Sequence, residues 1–263
     1  MLQIDCYAYA NRLVSVHPAE KAAFAVITMT ICIASPSPLV YLAVTVLMAG
    51  VVVLGAGIPG TAYLKLLSVP ALFLAVSAAV VAVSVSHSPV DYLVSIGAGS
   101  YLIGVHPRDL YTALSLFFKS LGATSCLFFL SLTTPMVDLT NTLRKIRVPS
   151  LIIDLMVIMY RFIFVLIETA EIIYTSQSSR LGYMNVKTGW RSLGTLMASL
   201  FIRTCRRSED LFTALSARGY TGDMKVLETR YAFSVPIVMA IIAIDSLLAL
   251  LNLAKGMGGG LFA

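Results

Sequence analysis

The stretch LVYLAVTVLMAGVVVLGAGIPGTAYL, residues 39–64, contains no charged side chain. After Lys65, the stretch LLSVPALFLAVSAAVVAVSVS, residues 66–86, is uncharged as well. A helix needs about 20 mainly apolar residues to cross a lipid bilayer, and a charge near its middle costs roughly 3 kcal/mol. The two runs therefore predict two transmembrane helices divided at Lys65, with a turn in the GAGIPG segment, residues 55–60.

Three further segments are apolar and hold at most one charge: residues 22–34, 110–135 and 231–254. The first is short and reaches spanning length only if residues 18–21 extend the helix, with the ammonium group of Lys21 reaching the interface. The second contains Lys119, and the third contains Asp245. The chain is therefore predicted to be an all-α integral membrane protein with five transmembrane helices.

The composition of the chain excludes several other classes of protein. Of its 263 residues, 58% are hydrophobic and 12% are charged, whereas soluble domains have about 25% charged residues. A mean hydropathy of +0.88 excludes a disordered chain. A secreted disulfide scaffold is excluded as well, because the four cysteines are widely spaced: Cys6, Cys32, Cys126 and Cys205. The surplus apolar surface must therefore face lipid.

Positive charge is concentrated in one part of the sequence. Residues 144–230 hold 13 Lys and Arg against 7 Asp and Glu, so the whole net charge of +6 lies there. Because cytoplasmic segments of membrane proteins carry the excess of Lys and Arg, this segment and the amino terminus are predicted to be cytoplasmic. The predicted domains are four spans in residues 1–136, a cytoplasmic domain in residues 137–230 inserted before the last span, and that span with its tail in residues 231–263.

The cytoplasmic segment is predicted to form amphipathic helices. A short helix covers residues 137–146, and two long helices cover residues 151–177 and 191–218. In the first long helix, charges recur at every seventh position, at Asp154, Arg161 and Glu168. This charged stripe favours a helix at or below the membrane surface, while the length of the apolar stretch leaves a sixth span as the alternative.

Both long helices end in an arginine that is closely followed by glycine. The first ends SSRLGY, residues 178–183, and the second ends SARGY, residues 216–220. One explanation is structural, because a cation interacts well with the negative end of the helix dipole and glycine readily ends a helix. The other explanation is docking, because a guanidinium group at a helix tip can form bidentate hydrogen bonds in an acidic groove of a partner.

Four segments give the sequence a resemblance to a known family: DCYAYANR (residues 5–12), VHPAEK (residues 16–21), MYRFIF (residues 159–164), and the block from RSLG to SARGY (residues 191–220). The chain resembles the transmembrane T component of energy-coupling factor (ECF) transporters, and among these the cobalt-type CbiQ proteins. The resemblance implies a non-catalytic, energy-coupling subunit of a cobalt importer in the inner membrane of a prokaryotic cell. Nickel or a vitamin is the alternative substrate.

The resemblance also implies partners. In this family two Ala-Arg-Gly motifs on coupling helices rest on two ATP-binding-cassette (ABC) ATPase subunits, here CbiO-like. The second motif is matched by Ala217, Arg218 and Gly219, whereas Ser179, Arg180 and Leu181 match the first only at the arginine, because Gly182 is displaced by one position. Further implied partners are a CbiM-like substrate-capture membrane subunit and a small accessory membrane subunit. ATP and Mg²⁺ would be bound by the ATPases, and this chain would hold no cofactor.

The sequence lacks the motifs of the competing functional classes. It has no GxxxxGK[ST] phosphate loop, so ATP hydrolysis is expected only in partner subunits. The three histidines, His17, His87 and His106, lack zinc-site spacing, so each is expected to cap a helix or contact solvent. An intramembrane enzyme or channel is a different class, but the spans hold no catalytic constellation. The basic segment is compatible with contact to anionic lipid, and no nucleic-acid partner is expected.

The two charges within the spans are predicted to form a pair. Thr134 marks the cytoplasmic end of the span that holds Lys119, and Tyr231 marks the cytoplasmic end of the span that holds Asp245. Each charged residue lies about four helical turns from that end, so the two side chains have nearly the same depth. Because ionisable residues in membranes are costly and usually paired, we predict a contact between them, direct or through water. The alternative is that each faces a polar cavity or a partner separately.

Overall fold

The computed structural model describes residues 3–86, 94–98, 101–220, 231 and 234–258. The chain divides into two compact units, one of residues 136–229 and the other of residues 2–135 and 230–263. Several predicted features lie outside the described residues, including His87 and the end of the tail.

Within the described residues, the larger unit contains six α-helices: α1 (Gln3–Ala10), α2 (Pro18–Ala34), α3 (Pro38–Gly50), α4 (Gly60–Ala82), α5 (Pro107–Thr133) and α9 (Val235–Gly258). A 3-10 turn (Arg12–Ser15) follows α1, and a π-helical turn (Val51–Gly55) extends α3. Helix α5 is central and packs against α1 to α4, whereas α9 packs mainly on α2. The core of this unit therefore lies around α5, with Met48, Cys126 and Leu132 fully buried.

The smaller unit contains three helices: α6 (Met136–Lys145), α7 (Ser150–Ser179) and α8 (Val186–Ala217). They confirm the three helices predicted in the basic segment. Helix α8 begins five residues earlier than predicted, because Asn185 and Thr188 form a reciprocal capping box. Helices α7 and α8 run antiparallel, since Gln177 Nε2 donates a hydrogen bond to the Ser192 carbonyl (3.1 Å) near the turn between them.

A small antiparallel sheet precedes α5. Its strands are β1 (Ser84–Ser86), β2 (Val94–Ala98) and β3 (Tyr101–Val105), in the order β1-β3-β2. Ile103 lies opposite both Val85 and Ile96 in the register. The third predicted span was extended to residue 86, but its helix ends at Ala82 and the following residues pair with β3. The all-α prediction omitted this sheet, whose short Val- and Ile-containing segments are typical of strands.

Five of the described helical segments are long and apolar enough to cross a membrane: Pro38–Gly55, Gly60–Ala82, Pro107–Thr133, Ser150–Ser179 and Val235–Asn252. They confirm an all-α integral membrane protein, although the set differs from the predicted one. Helix α2 begins at Pro18 as its prediction required, but its 17 residues are the lower limit for a span. Helix α7 satisfies length and composition, yet its exposed Arg161 and Glu168 would be costly in lipid.

The turn predicted in residues 55–60 is confirmed between α3 and α4. Gly57 has a φ of +74°, which glycine adopts without a steric penalty. Because α4 begins directly after this turn, Lys65 lies within α4 and is exposed. The predicted division of the two spans at Lys65 was therefore wrong by about one helical turn.

Two histidines cap helices that begin with proline. The His17 Nδ1 atom accepts a hydrogen bond from the Ala19 amide (3.1 Å), and the His106 Nδ1 atom accepts one from the Arg108 amide (3.1 Å). In each case the proline occupies the first helical position, where no amide donor is needed. The expectation of helix-capping histidines is confirmed at both positions.

A close helix approach in the larger unit occurs at Gly122 of α5. A Cβ atom added there would lie 2.8 Å from Cys32 Sγ of α2 and 3.3 Å from the Tyr41 carbonyl oxygen of α3. Cys32 is completely buried, so its sulfur has little room to move. Glycine at this position allows three helix backbones to approach one another, as small residues do in membrane proteins.

We expect Gly122→Ala to destabilise the larger unit, although alanine in a helix is ordinarily favoured over glycine by about 1 kcal/mol. The added methyl group overpacks a full core, at a cost of about 1–3 kcal/mol. The thermal unfolding midpoint of the detergent-solubilised protein should fall by several degrees. In a Cys32→Ala background the same substitution should lower the midpoint by less than half as much. An equal decrease in both backgrounds would show that the contact with Cys32 is not the cause.

Candidate functional site

The two arginine-containing helix ends have the same backbone geometry. At the end of α8, the Gly219 amide donates to the Ser216 carbonyl (3.0 Å) and the Tyr220 amide donates to the Leu215 carbonyl (3.0 Å). This pair of hydrogen bonds, with Gly219 at a φ of +75°, is a Schellman motif in which Arg218 is the C-cap residue.

The end of α7 repeats this arrangement. The Leu181 amide donates to the Ser178 carbonyl (3.0 Å), and the Gly182 amide donates to the Gln177 carbonyl (2.9 Å). Arg180 therefore occupies the position at α7 that Arg218 occupies at α8. The two motifs are structurally equivalent, even though only the second has glycine directly after the arginine.

The displacement of glycine at the first motif has a steric reason. Leu181 takes the left-handed conformation, with a φ of +60°, which costs a residue with a side chain about 1–2 kcal/mol. At Gly182 a Cβ atom would lie 2.8 Å from the Gln177 carbonyl oxygen and 2.8 Å from Ser192 Oγ of α8. Glycine is therefore needed one position later than in the second motif, where α7 turns tightly against α8.

All six predicted docking residues are exposed: Ser179, Arg180, Leu181, Ala217, Arg218 and Gly219. Neither the Arg180 nor the Arg218 guanidinium group makes a hydrogen bond or an ion pair with any residue that the structure describes. Because backbone groups complete both helix ends, the arginine side chains are not required to cap them. As far as the described residues go, both guanidinium groups can bind an external acidic group.

The two arginines lie at opposite ends of the α7–α8 pair. Arg180 is at the turn between the helices, whereas Arg218 is near the beginning of α7, where the Tyr220 hydroxyl donates to Asp154 Oδ2 (3.2 Å). With 30 residues in α7, at about 1.5 Å per residue, the separation is about 45 Å. The arrangement therefore offers two separate contacts rather than one joint site.

The structure does not bring Lys119 and Asp245 together as a direct ion pair. Asp245 is 8% exposed, and its Oδ1 accepts a hydrogen bond from Thr28 Oγ1 of α2 (2.9 Å). The Lys119 Nζ atom instead lies 6.0 Å from the centroid of the Tyr41 ring of α3. Helix α9, which carries Asp245, packs mainly on α2, whereas Lys119 lies on α5. The alternative of a contact through water stays a prediction.

A polar cluster that sequence reasoning did not assign joins the ends of several helices. The Lys21 Nζ atom donates to the carbonyl oxygens of Thr133 (2.8 Å) and Leu13 (3.1 Å), and this side chain is 4% exposed. Its neighbour Glu20 accepts a hydrogen bond from the Ser234 amide (3.0 Å), next to the start of α9. A lysine at the last carbonyl groups of α5 complements the helix dipole. The signal in the sequence was a pair of charges at the start of an apolar helix.

Asn11 extends this cluster. Its Nδ2 atom donates to the Ala8 carbonyl oxygen (2.7 Å) and lies 3.3 Å from that of Leu132, so it ties the end of α1 to the end of α5. Lys21 was predicted to reach the membrane interface, but it is buried against backbone oxygens instead. The VHPAEK segment thus has a structural role in holding helix ends together.

Among the residues that the structure describes, no group of three or more His, Cys, Asp and Glu side chains is arranged to hold a metal ion.

Comparison with known proteins gives a consistent family assignment. Residues 10–229 match the sequence model of the CbiQ family, described as cobalt transport protein. A cobalt transport protein CbiQ of Rhodobacter capsulatus is 34% identical over 76% of this chain and 76% of its own length. An uncharacterized protein of Methanocaldococcus jannaschii is 32% identical over 94% of this chain and 91% of its own length.

A third relative combines two names in one chain. It is a putative fused cobalt transport protein CbiMQ of Methanocorpusculum labreanum, 30% identical over 86% of the present chain. The similarity covers 37% of that longer protein.

Proposed function

The chain belongs to the CbiQ family of cobalt transport proteins, and we propose that it is the energy-coupling transmembrane subunit of an ECF-type ABC importer for cobalt ions. The observation that carries the proposal is the pair of exposed arginines, Arg180 and Arg218, in equivalent positions at the two long helix ends. In this role the chain catalyses no reaction itself. It transmits motion between subunits.

Two CbiO-like ABC ATPase subunits are the proposed cytoplasmic partners, and they bind ATP and Mg²⁺. A guanidinium group at each helix end suits bidentate hydrogen bonding in an acidic groove of one ATPase. The separation of about 45 Å between Arg180 and Arg218 supports one ATPase at each end. When ATP draws the ATPases together, α7 and α8 move with them and transmit that motion to the larger unit.

A CbiM-like membrane subunit is the proposed substrate-capture partner, together with a small accessory membrane subunit. The fused CbiMQ relative supports this pairing, because its name places the two components in one chain. We further propose that the amino terminus and the basic segment of residues 137–230 are cytoplasmic, as the distribution of Lys and Arg favours. The membrane is a prokaryotic inner membrane.

The substrate can be tested by uptake in cells that lack their own cobalt importers. Cells that express this chain with its ATPase and capture subunits should accumulate cobalt, measured by elemental analysis, and should lose that uptake when this chain is omitted. Nickel uptake without cobalt uptake would support the coupling role but show that the substrate is nickel. If neither ion nor a vitamin enters, the importer proposal is wrong.

A further inference from the structure

A third helix of the smaller unit ends in the same way as α7 and α8. At the end of α6 the Arg147 amide donates to the Arg144 carbonyl (3.1 Å), and the Val148 amide donates to the Leu143 carbonyl (3.3 Å). Arg147 itself takes the left-handed conformation, with a φ of +66°. This is the position of a Schellman motif at which glycine is usual, so the arginine is retained there at a cost in backbone strain.

Within the described residues, the Arg147 side chain has no structural partner that would explain its position. It is exposed, and its guanidinium group makes no hydrogen bond or ion pair with any residue in the described part of the chain. Strained backbone positions of this kind cluster at functional sites. Arg147 therefore shares with Arg180 and Arg218 both exposure and a place at a helix end.

A buried carboxylate joins the end of α6 to the end of α8. Asp154, in the second turn of α7, is 2% exposed. Its Oδ1 atom lies 3.4 Å from Arg144 Nη2 in an ion pair, and its Oδ2 accepts the hydrogen bond from the Tyr220 hydroxyl. Arg144 is three residues before Arg147, and Tyr220 is two residues after Arg218. Asp154 thus fixes both helix ends to the same turn of α7.

We propose that Arg147 and Arg218 form one basic docking surface, assembled by Asp154, for an acidic groove on a protein partner. This inference rests on the proposed function, in which that partner is the ATPase at the Arg218 end. The surface makes the two ends of the α7–α8 pair unequal. The end at Arg180 presents one arginine at a helix end, and the end at Arg218 presents two. Asp154 is a positioning residue, because it acts through Arg144 and Tyr220.

The test uses Arg147→Gly in the full complex with its ATPases. Because glycine relieves the strain of the left-handed backbone, the thermal unfolding midpoint should stay unchanged or rise. Because the substitution also removes the charge, ATPase association should weaken about 10-fold, which corresponds to about 1.4 kcal/mol of binding free energy. A purely structural role cannot move stability and association in opposite directions. The control is Arg206→Gln, which removes a charge at an exposed position within α8 and should change association less than 2-fold. Glutamine is used there because glycine within α8 would weaken the helix.

The positioning role is tested by Asp154→Asn, which keeps the size of the side chain and removes its charge. In the Asp154→Asn background, Arg147→Gly should weaken association less than 3-fold, because the two arginines are no longer held together. An unchanged 10-fold effect would overturn the role of Asp154. If Arg147→Gly leaves association intact while Arg218→Glu abolishes it, the two-arginine surface is wrong and the proposed function stands. If Arg218→Glu also leaves association intact, the proposed function itself fails.

Discussion

The double substitution Arg180→Glu and Arg218→Glu is expected to abolish association of the chain with its ATPase subunits. Each change replaces a guanidinium group by a carboxylate at the exposed end of α7 or α8, and would place like charges together in an acidic groove. Loss of one partner of a buried, hydrogen-bonded charge pair at an interface costs about 2–5 kcal/mol. Association should therefore weaken about 30-fold or more for each single change, as measured by co-purification at matched expression.

Matched controls separate docking from net charge and from stability. Arg206→Glu with Arg207→Glu makes the same charge change at exposed positions within α8, and should leave association nearly intact. Arg180→Lys with Arg218→Lys keeps the charge but removes the planar bidentate donor, so an intermediate loss is expected. Since backbone hydrogen bonds complete both helix ends, the thermal midpoint of the isolated chain should change little. A large fall in that midpoint, with association restored on cooling, would instead indicate helix capping by the arginines.

The substitution Lys21→Met is expected to destabilise the larger unit more strongly than Gly122→Ala. It keeps the length of the side chain but removes the ammonium group that binds the Thr133 and Leu13 carbonyl oxygens. Hydrogen bonds to charged groups contribute about 1.5–3 kcal/mol each, and the buried carbonyl at the end of α5 would lose its partner. A cost of about 3 kcal/mol corresponds to a thermal midpoint about 6–12 °C lower.

Lys65→Met is the matched control for this prediction. Lys65 is exposed on α4, so the same chemical change should alter the midpoint by about 2 °C or less. If Lys21→Met and Lys65→Met are equally stable, Lys21 does not hold the end of α5. If Lys21→Met preserves stability but prevents ATPase association, the segment has a direct functional role that the structure does not assign.

The helices follow closely from the sequence because their length and apolar composition are local properties. Residues 39–64 predicted a helix and a turn, and both are present. The division at Lys65 was wrong because a charged residue does not end a helix, whereas the positive φ of Gly57 and the following Pro59 do set where α4 begins. The sheet of residues 84–105 was missed because its strands are short and their pairing depends on contacts between segments.

The contacts among side chains were less predictable. The stripe correctly placed Asp154, Arg161 and Glu168 along one helix. Asp154, however, is buried and contacts Arg144 and Tyr220, while the other two are exposed. Equal depth in the bilayer predicted a contact between the Lys119 and Asp245 side chains, but depth does not specify which helices pack against each other. The cluster around Lys21 depends on the carbonyl oxygen of Thr133, which is far away in the sequence, and no local pattern indicates such a contact.

The family resemblance located the docking motifs in the sequence, but their backbone geometry could not be predicted from it. Arg180 and Arg218 could be placed at helix ends from the arrangement of arginine and glycine. The equivalence of Leu181 to Gly219 required backbone angles, because leucine rarely takes a positive φ. Arg147 was overlooked for the same reason, since no glycine marks the end of α6.

The central claim is that this chain couples two ATPase subunits to transport. The most direct measurement is purification of the chain from its native membrane in mild detergent, with identification of the associated subunits and an ATPase assay of the eluate. We predict two ABC ATPase chains and a small hydrophobic capture subunit, together with ATP hydrolysis that is lost with the Arg180→Glu and Arg218→Glu variant. A stable chain that purifies alone and without ATPase activity would contradict the account.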